Sequence, residues 1–188
     1  MRHTLHPGDI TEHVSLVVTT PARTFVDIAH EVPLALVVAF GDHILRQQLT
    51  TPDSISDCLT RSRGRRGVRR ARQARDLLDP RAESPPESVL RITLIGAGLP
   101  APTPQVVVRS ATGAFLARGD LVYEDERIII EYDGEHHLTP EQQAKDADRR
   151  HLLALEDWLV VTITRHDLRD PRRAIRKVDE ALRRRRRT

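Results

Sequence analysis

The sequence predicts an α/β protein in which a small helical domain, residues 1–80, precedes an αβββαβ core with a mixed four-stranded sheet flanked by helices. Three observations predict it. Thr20-Pro21 and Thr139-Pro140 each set a capping hydroxyl before a proline that suits the first helical position. The apolar runs "QVVVRS", "IIIEYD" and "WLVVTITR" are too short for helices and rich in β-branched residues, which suits strands. Between the two patterns lies "DPRAESPPES", residues 79–88, a turn-rich junction.

Taken in order, Val14–Val18 is a short strand candidate. A helix follows from Thr20, with Phe25, Ile28 and Ala29 at helical spacing, and Pro33 breaks it. "LALVVAFGDHILRQ" continues as an apolar helix, and "TPDSISDCLTR" gives a third, capped around Thr51 or Asp53. The arginine block forms a fourth, with Val68, Ala71, Leu77 and Leu78 facing inward. Beyond the junction a helix starts near Pro86 and stops at Gly96, Gly98 and Pro100. Strands follow over 105–110 and 114–124, and the third ends in "IIIEYDGEHH". A polar helix from Thr139, the strand "WLVVTITR" with Trp158 in the core, and a final helix capped at Asp170 complete the chain.

Composition bounds the functional classes. No stretch approaches the roughly 18 apolar residues of a membrane span, and the first residues lack the apolar core of a secretion signal. Cys58 stands alone, so neither a disulfide nor a cysteine zinc site is expected. The expectation is a cytoplasmic protein without a membrane partner. The net charge of +3 is segregated: residues 61–75 carry eight Arg and no acid, residues 183–187 are all Arg, and the rest is acidic. Such blocks favour a polyanionic partner. With 28 Arg against two Lys, the blocks also fit an arginine-biased composition, and the terminal run reads as a solvated tail.

The chemistry concentrates where the third strand ends. Glu131 and Asp133 share one face of that strand, and Asp120 shares a face with Arg118 and Val122 by strand alternation. Adjacent strands lie about 4.8 Å apart, so Asp120 and Glu131 can meet one Mg²⁺ or Mn²⁺ ion if the register sets them opposite. The Tyr132 carbonyl is a further hard oxygen donor. Each residue also has a structural role open to it. Asp120 can pair with Arg91 or Arg118, Asp133 can cap the turn at Gly134, Glu87 suits the first turn of its helix, and Asp146 with Arg149 is an i,i+3 pair.

The stretch 83–168 resembles the very-short-patch-repair-like domain of the PD-(D/E)XK endonuclease superfamily. It matches with Glu87, Arg91, Asp120, Glu131, Asp133, Gly134, His137, Asp146, Arg149, Leu153 and Trp158. The resemblance implies a restriction-endonuclease-like core and metal-dependent cleavage of DNA, with Asp120, Glu131, Asp133, His137 and Glu87 at the reaction. Asp120, Glu131 and Tyr132 would hold the ion, and His137 would move a proton in place of the superfamily's lysine. Arg91, Arg118 and Arg149 would meet phosphate, and Arg65, Arg66, Arg69 and Arg70 would grip the DNA backbone. The chain departs from the pattern at Asp157, where Gly is usual, and at Thr162, where Arg is common.

"VTTPARTFVDIA" and the arginine block resemble the middle segment of AbiE-type antitoxin-like proteins of abortive-infection systems. That resemblance implies a non-catalytic DNA-binding regulator, with a cognate toxin as a partner.

Overall fold

The computed structural model describes residues 5–134 and 139–187, in two compact units, Met1–Val89 and Leu90–Thr188. No helix among the described residues is long and apolar enough to cross a membrane.

The first unit opens with a hairpin, β1 (Ile10–His13) and β2 (Leu16–Thr19), antiparallel from Ile10↔Thr19 to His13↔Leu16. The expected strand at Val14–Val18 is thus corrected: Val14 and Ser15 are the turn, both left-handed at φ 48° and 61°. Two-residue hairpins favour that conformation because its twist matches the strands. Four helices follow: α1 (Pro21–Ile28), α2 (Leu34–Arg46), α3 (Pro52–Arg61) and α4 (Val68–Arg75). Thr20 and Thr51 cap α1 and α3, accepting the amides of Arg23 and Ser54. Phe25, Val37, Ile44, Ile55, Leu59, Val68 and Ala71 are buried. Leu77 and Leu78 follow the end of α4 and are half-buried. Asp9 is buried too, between Arg23 (3.2 Å) and Arg61 (2.8 Å). Burial alone would raise its pKa, but the two guanidiniums outweigh that and hold it below the ordinary carboxylate value.

The division between the units falls within α5 (Pro85–Gly96). The second unit holds β3 (Thr103–Arg109), β4 (Phe115–Tyr123), β5 (Ile128–Asp133), α6 (Pro140–Leu155), β6 (Leu159–Thr164), α7 (Arg165–Arg169) and α8 (Pro171–Arg185). The sheet order is β3-β4-β5-β6; β3, β4 and β5 are antiparallel neighbours, and β6 pairs parallel to β5 after the α6 crossover. This is α/β architecture with a mixed four-stranded sheet. Ile128, Ile129 and Ile130 are fully buried because both faces of the sheet are covered. Leu121, Tyr123, Ile128, Ile130 and Ile163 pack with α8 and with Leu90 and Leu94 of α5. Val108, Ala117, Val122 and Ile129 pack with Leu153 of α6 and with half-buried Trp158.

Two expectations fail at the C-terminal end. Asp170 makes no capping bond, so α8 starts on Pro171 alone; the cap in this region is Thr164 with Asp167, a reciprocal box that starts α7. The arginine run is not simply a solvated tail. Its first three residues form the last turn of α8, Arg183 pairs with Asp179 at 2.8 Å, and Arg185 pairs with Asp157 at 2.9 Å.

Candidate functional site

The pairing of β4 with β5 runs from Tyr123↔Ile128 to Leu121↔Ile130. One further step along that register sets Asp120 across from Glu131. Instead of continuing the ladder, Asp120 turns its carboxylate into the gap, and Oδ2 accepts the Tyr132 backbone N–H at 2.8 Å. On the other side, β4 pairs with β3 at Pro104↔Leu121 and Val106↔Gly119, skipping the step where Gln105 would meet Asp120. Gln105 is left-handed there, at φ 55°. A non-glycine residue in that region inside a strand is an uncommon conformation, of the kind that gathers at functional sites.

This irregularity corrects the alternation expected along β4. Ala117 packs in the cluster of Val122, and a Cβ on Gly119 would lie 2.6 Å from Val122 Cγ2 and 2.8 Å from Ile129 Cγ2. Both positions therefore share the Val122 face, and the alternation slips by one at Asp120. Regular pleating assumes an unbroken ladder on both sides, which Asp120 lacks.

Glu131 is half-buried and faces α6. Both of its oxygens are held by Arg149: Nη1 meets Oε1 in a short contact, and Nη2 donates to Oε2 at 3.1 Å. Nη2 also reaches Asp146 Oδ1 at 2.5 Å, and Arg150 Nε lies 2.9 Å from the other Asp146 oxygen. The Glu131 hydrogen bond, reinforced by Asp146, raises the Arg149 pKa against the opposing effect of burial. Asp146 and Arg149 are therefore more than an i,i+3 surface pair, because the guanidinium bridges to the strand.

Asp133 is exposed at the end of β5, where it pairs in register with Thr164. Half-buried Tyr132 packs its ring against the α8-side core. Arg118 is exposed, across from Val107 on β3, and Arg91 is buried on α5. Glu87 belongs to the first unit, where its carboxylate accepts the Glu83 amide at 2.9 Å and the Ser84 hydroxyl at 2.7 Å. This is an S-x-x-E helix start, a signal present in "SPPE". His137 lies outside the described residues, as do Glu135 and His136. Among the described residues no group of three or more His, Cys, Asp or Glu side chains is set to hold a metal ion.

The arginine block lines an open groove of about 680 Å³ with Ala29 and His30. Gly67 makes the turn into α4, at φ 82°, directly against His30. Arg66 and Arg69 are exposed and Arg65 is half-buried. Arg70 has a structural task that sequence reasoning missed: its Nη1 donates to the carbonyls of Ala29 (3.2 Å) and Val32 (3.0 Å), past the end of α1. The Asp167 cluster was also missed. Asp167 is buried, and its Oδ2 accepts from Lys177 at 2.7 Å and from the Thr164 amide and hydroxyl at 2.9 Å each.

The chain is similar to two proteins of Mycobacterium tuberculosis, the uncharacterized proteins MT2308 (strain CDC 1551) and Rv2248 (strain H37Rv). Each is 33% identical over 152 residues, 80% of this chain and 56% of its own length. The chain thus spans little more than half the length of the curated relatives it matches. No family model matches it, and no solved structure matches it significantly.

Proposed function

We propose that the protein is a metal-dependent endonuclease that hydrolyses DNA phosphodiester bonds, with a restriction-endonuclease-like αβββαβ core. The observation that carries this reading is the placement of Asp120 on β4 one register step past Leu121↔Ile130, across from Glu131 on β5, where the two strands part. The strand order, with a parallel β5–β6 pair joined by α6, is the one such a core needs.

The donor set suits a hard divalent cation, Mg²⁺ or Mn²⁺, which accepts a few carboxylates and keeps water on its other positions. Asp120 and Glu131 would hold it, with the Tyr132 carbonyl, which strand geometry directs to the same gap as the Tyr132 N–H. Such an ion supplies an activated water and a polarised phosphate. Arg149 holds both Glu131 oxygens, so a cation at this position takes the place of the guanidinium on that carboxylate. Asp133 and His137 remain the candidates for proton transfer. Glu87, engaged at its own helix start, acts as a cap. Arg91, Arg118 and Arg149 are the candidate phosphate contacts of the second unit. The groove lined by Arg65, Arg66, Arg69 and Arg70 suits the sugar-phosphate backbone, read by charge rather than by base edges.

The test is nicking of supercoiled DNA with Mn²⁺ or Mg²⁺. Asp120→Asn and Glu131→Gln, both folded by circular dichroism, are expected to lose about a hundredfold or more of the activity. Activity undiminished in both would sink the reading.

One observation favours a second reading, a non-cleaving DNA-binding regulator of the antitoxin-like kind with a toxin partner. Glu131 is neutralised by Arg149 within the chain itself, and so can stand without a metal. Metal-free, salt-dependent DNA binding with no cleavage under any divalent ion would support it.

A further inference from the structure

We propose that Arg149 guards the metal position. Its guanidinium holds Glu131 while no nucleic acid is bound and transfers to a backbone phosphate when DNA arrives, so DNA contact and cation binding are coupled through this side chain. The inference rests on the nuclease reading above and adds an order of events to it.

Three features of the contact carry it. First, Arg149 engages both Glu131 oxygens, so the guanidinium and a divalent ion compete for the same donor atoms rather than merely sharing a field. Second, the contact is reachable. The Arg149 side chain keeps 29% of its surface exposed and Glu131 keeps 16%, so an incoming phosphate can approach the guanidinium. The planar fork that grips a carboxylate with two N–H groups grips a phosphate equally well. Third, Asp146 anchors Nη2 on α6 itself, and Arg150 steadies the other Asp146 oxygen. The guanidinium can therefore release Glu131 and keep a partner.

The competition has a thermodynamic consequence. A phosphate that draws Arg149 off Glu131 strengthens cation binding there, and by reciprocity the cation strengthens phosphate binding to the released guanidinium. Metal would then load tightly only on DNA-bound protein, which keeps a hydrolytic site idle until substrate is present.

The test has two arms, neither of which reads cleavage. In the first, Mn²⁺ is titrated calorimetrically into the DNA-free wild type, Arg149→Gln and Arg149→Lys. Arg149→Gln is expected to bind about tenfold more tightly than wild type, with Arg149→Lys between them because it keeps the charge and loses the fork. In the second, affinity for a short blunt DNA duplex is measured without metal in a double-mutant cycle. Glu131→Gln is expected to raise affinity about tenfold when Arg149 is present and not at all in the Arg149→Gln background. Circular dichroism establishes folding, and Arg149→Lys serves if Arg149→Gln does not fold.

An equal gain from Glu131→Gln in both backgrounds would reduce the effect to overall charge and overturn the guard. So would unchanged Mn²⁺ affinity in a folded Arg149→Gln; if Asp120→Asn still abolished that binding, the nuclease reading would survive without the guard. Absence of Asp120-dependent Mn²⁺ binding in both wild type and Arg149→Gln, with or without DNA, would overturn both.

Discussion

Asp120 accepts the backbone N–H of Tyr132 at 2.8 Å, in the place where a strand carbonyl would stand if the ladder continued. A side chain thus finishes a strand pairing, half-buried where the two strands part. The bond also makes a stability prediction that separates structure from chemistry. Asp120→Ala leaves a half-buried amide without this acceptor and is expected to cost about 1–2 kcal/mol, read by urea denaturation. Asp120→Asn keeps an oxygen acceptor and is expected to cost less, while both variants are expected to lose the proposed metal binding.

Gly67 and Gly64 both sit at positive φ, at 82° and 79°, but in different surroundings. A Cβ on Gly67 would stand 2.8 Å from the His30 backbone nitrogen, whereas nothing lies within 4 Å of one on Gly64. Gly64→Ala is expected to cost about 1 kcal/mol from backbone conformation alone. Gly67→Ala is expected to cost more, about 2–3 kcal/mol, because backbone must also move. Equal midpoint shifts in thermal melts would refute the distinction.

Asp167 makes the stability of the second unit sensitive to acid. Burial would raise its pKa, but Lys177 and the two Thr164 donors bring it to about 2, from the ordinary 3.8. A carboxyl depressed on folding stabilises the protein fully above its unfolded value, so this contribution is complete above about pH 4 and is lost as pH falls toward 2. It amounts to about 1–2 kcal/mol, allowing for the solvent around Lys177. Asp167→Asn is expected to flatten unfolding free energy against pH over that window. An unchanged slope would contradict the assignment.

Two arginines of the groove are expected to behave differently. Arg69 is exposed, and Arg69→Gln is expected to leave stability unchanged while lowering the slope of log affinity for duplex DNA against log salt by about one. Arg70 holds the end of α1, so Arg70→Gln is expected to lower the melting temperature as well. A thermal melt beside a salt titration for each variant checks both statements.

Helix starts and buried strands were legible because they are written locally. Thr20-Pro21 and Thr139-Pro140 cap the helices expected of them, and Ile128–Ile130 are buried as a β-branched run requires. What could not be read depends on partners distant in sequence. The slip in alternation at Asp120 needs both neighbouring strands to lose register, and no local pattern announces that. Arg149 reads as half of an i,i+3 pair until the fold lays α6 over β5 and brings Glu131 to it. At Asp157 the sequence held a clue that only the backbone explains. Asp157, which the resemblance sets where its family carries glycine, stands at φ 60°, a left-handed conformation that Asp tolerates better than most residues, with Arg185 holding its side chain.

The parallel pairing of β5 with β6, from Ile128↔Leu159 to Asp133↔Thr164, sets a timetable for folding. The β4–β5 pair can zip through the short turn after Tyr123, but the β5–β6 pair must wait for all of α6, and closing so long a loop is slow. Until β6 arrives, the isoleucine strand presents an open apolar edge that other chains can join. Refolding yield should therefore fall as protein concentration rises, and β6 acts as the last stave that seals the sheet against its own copies.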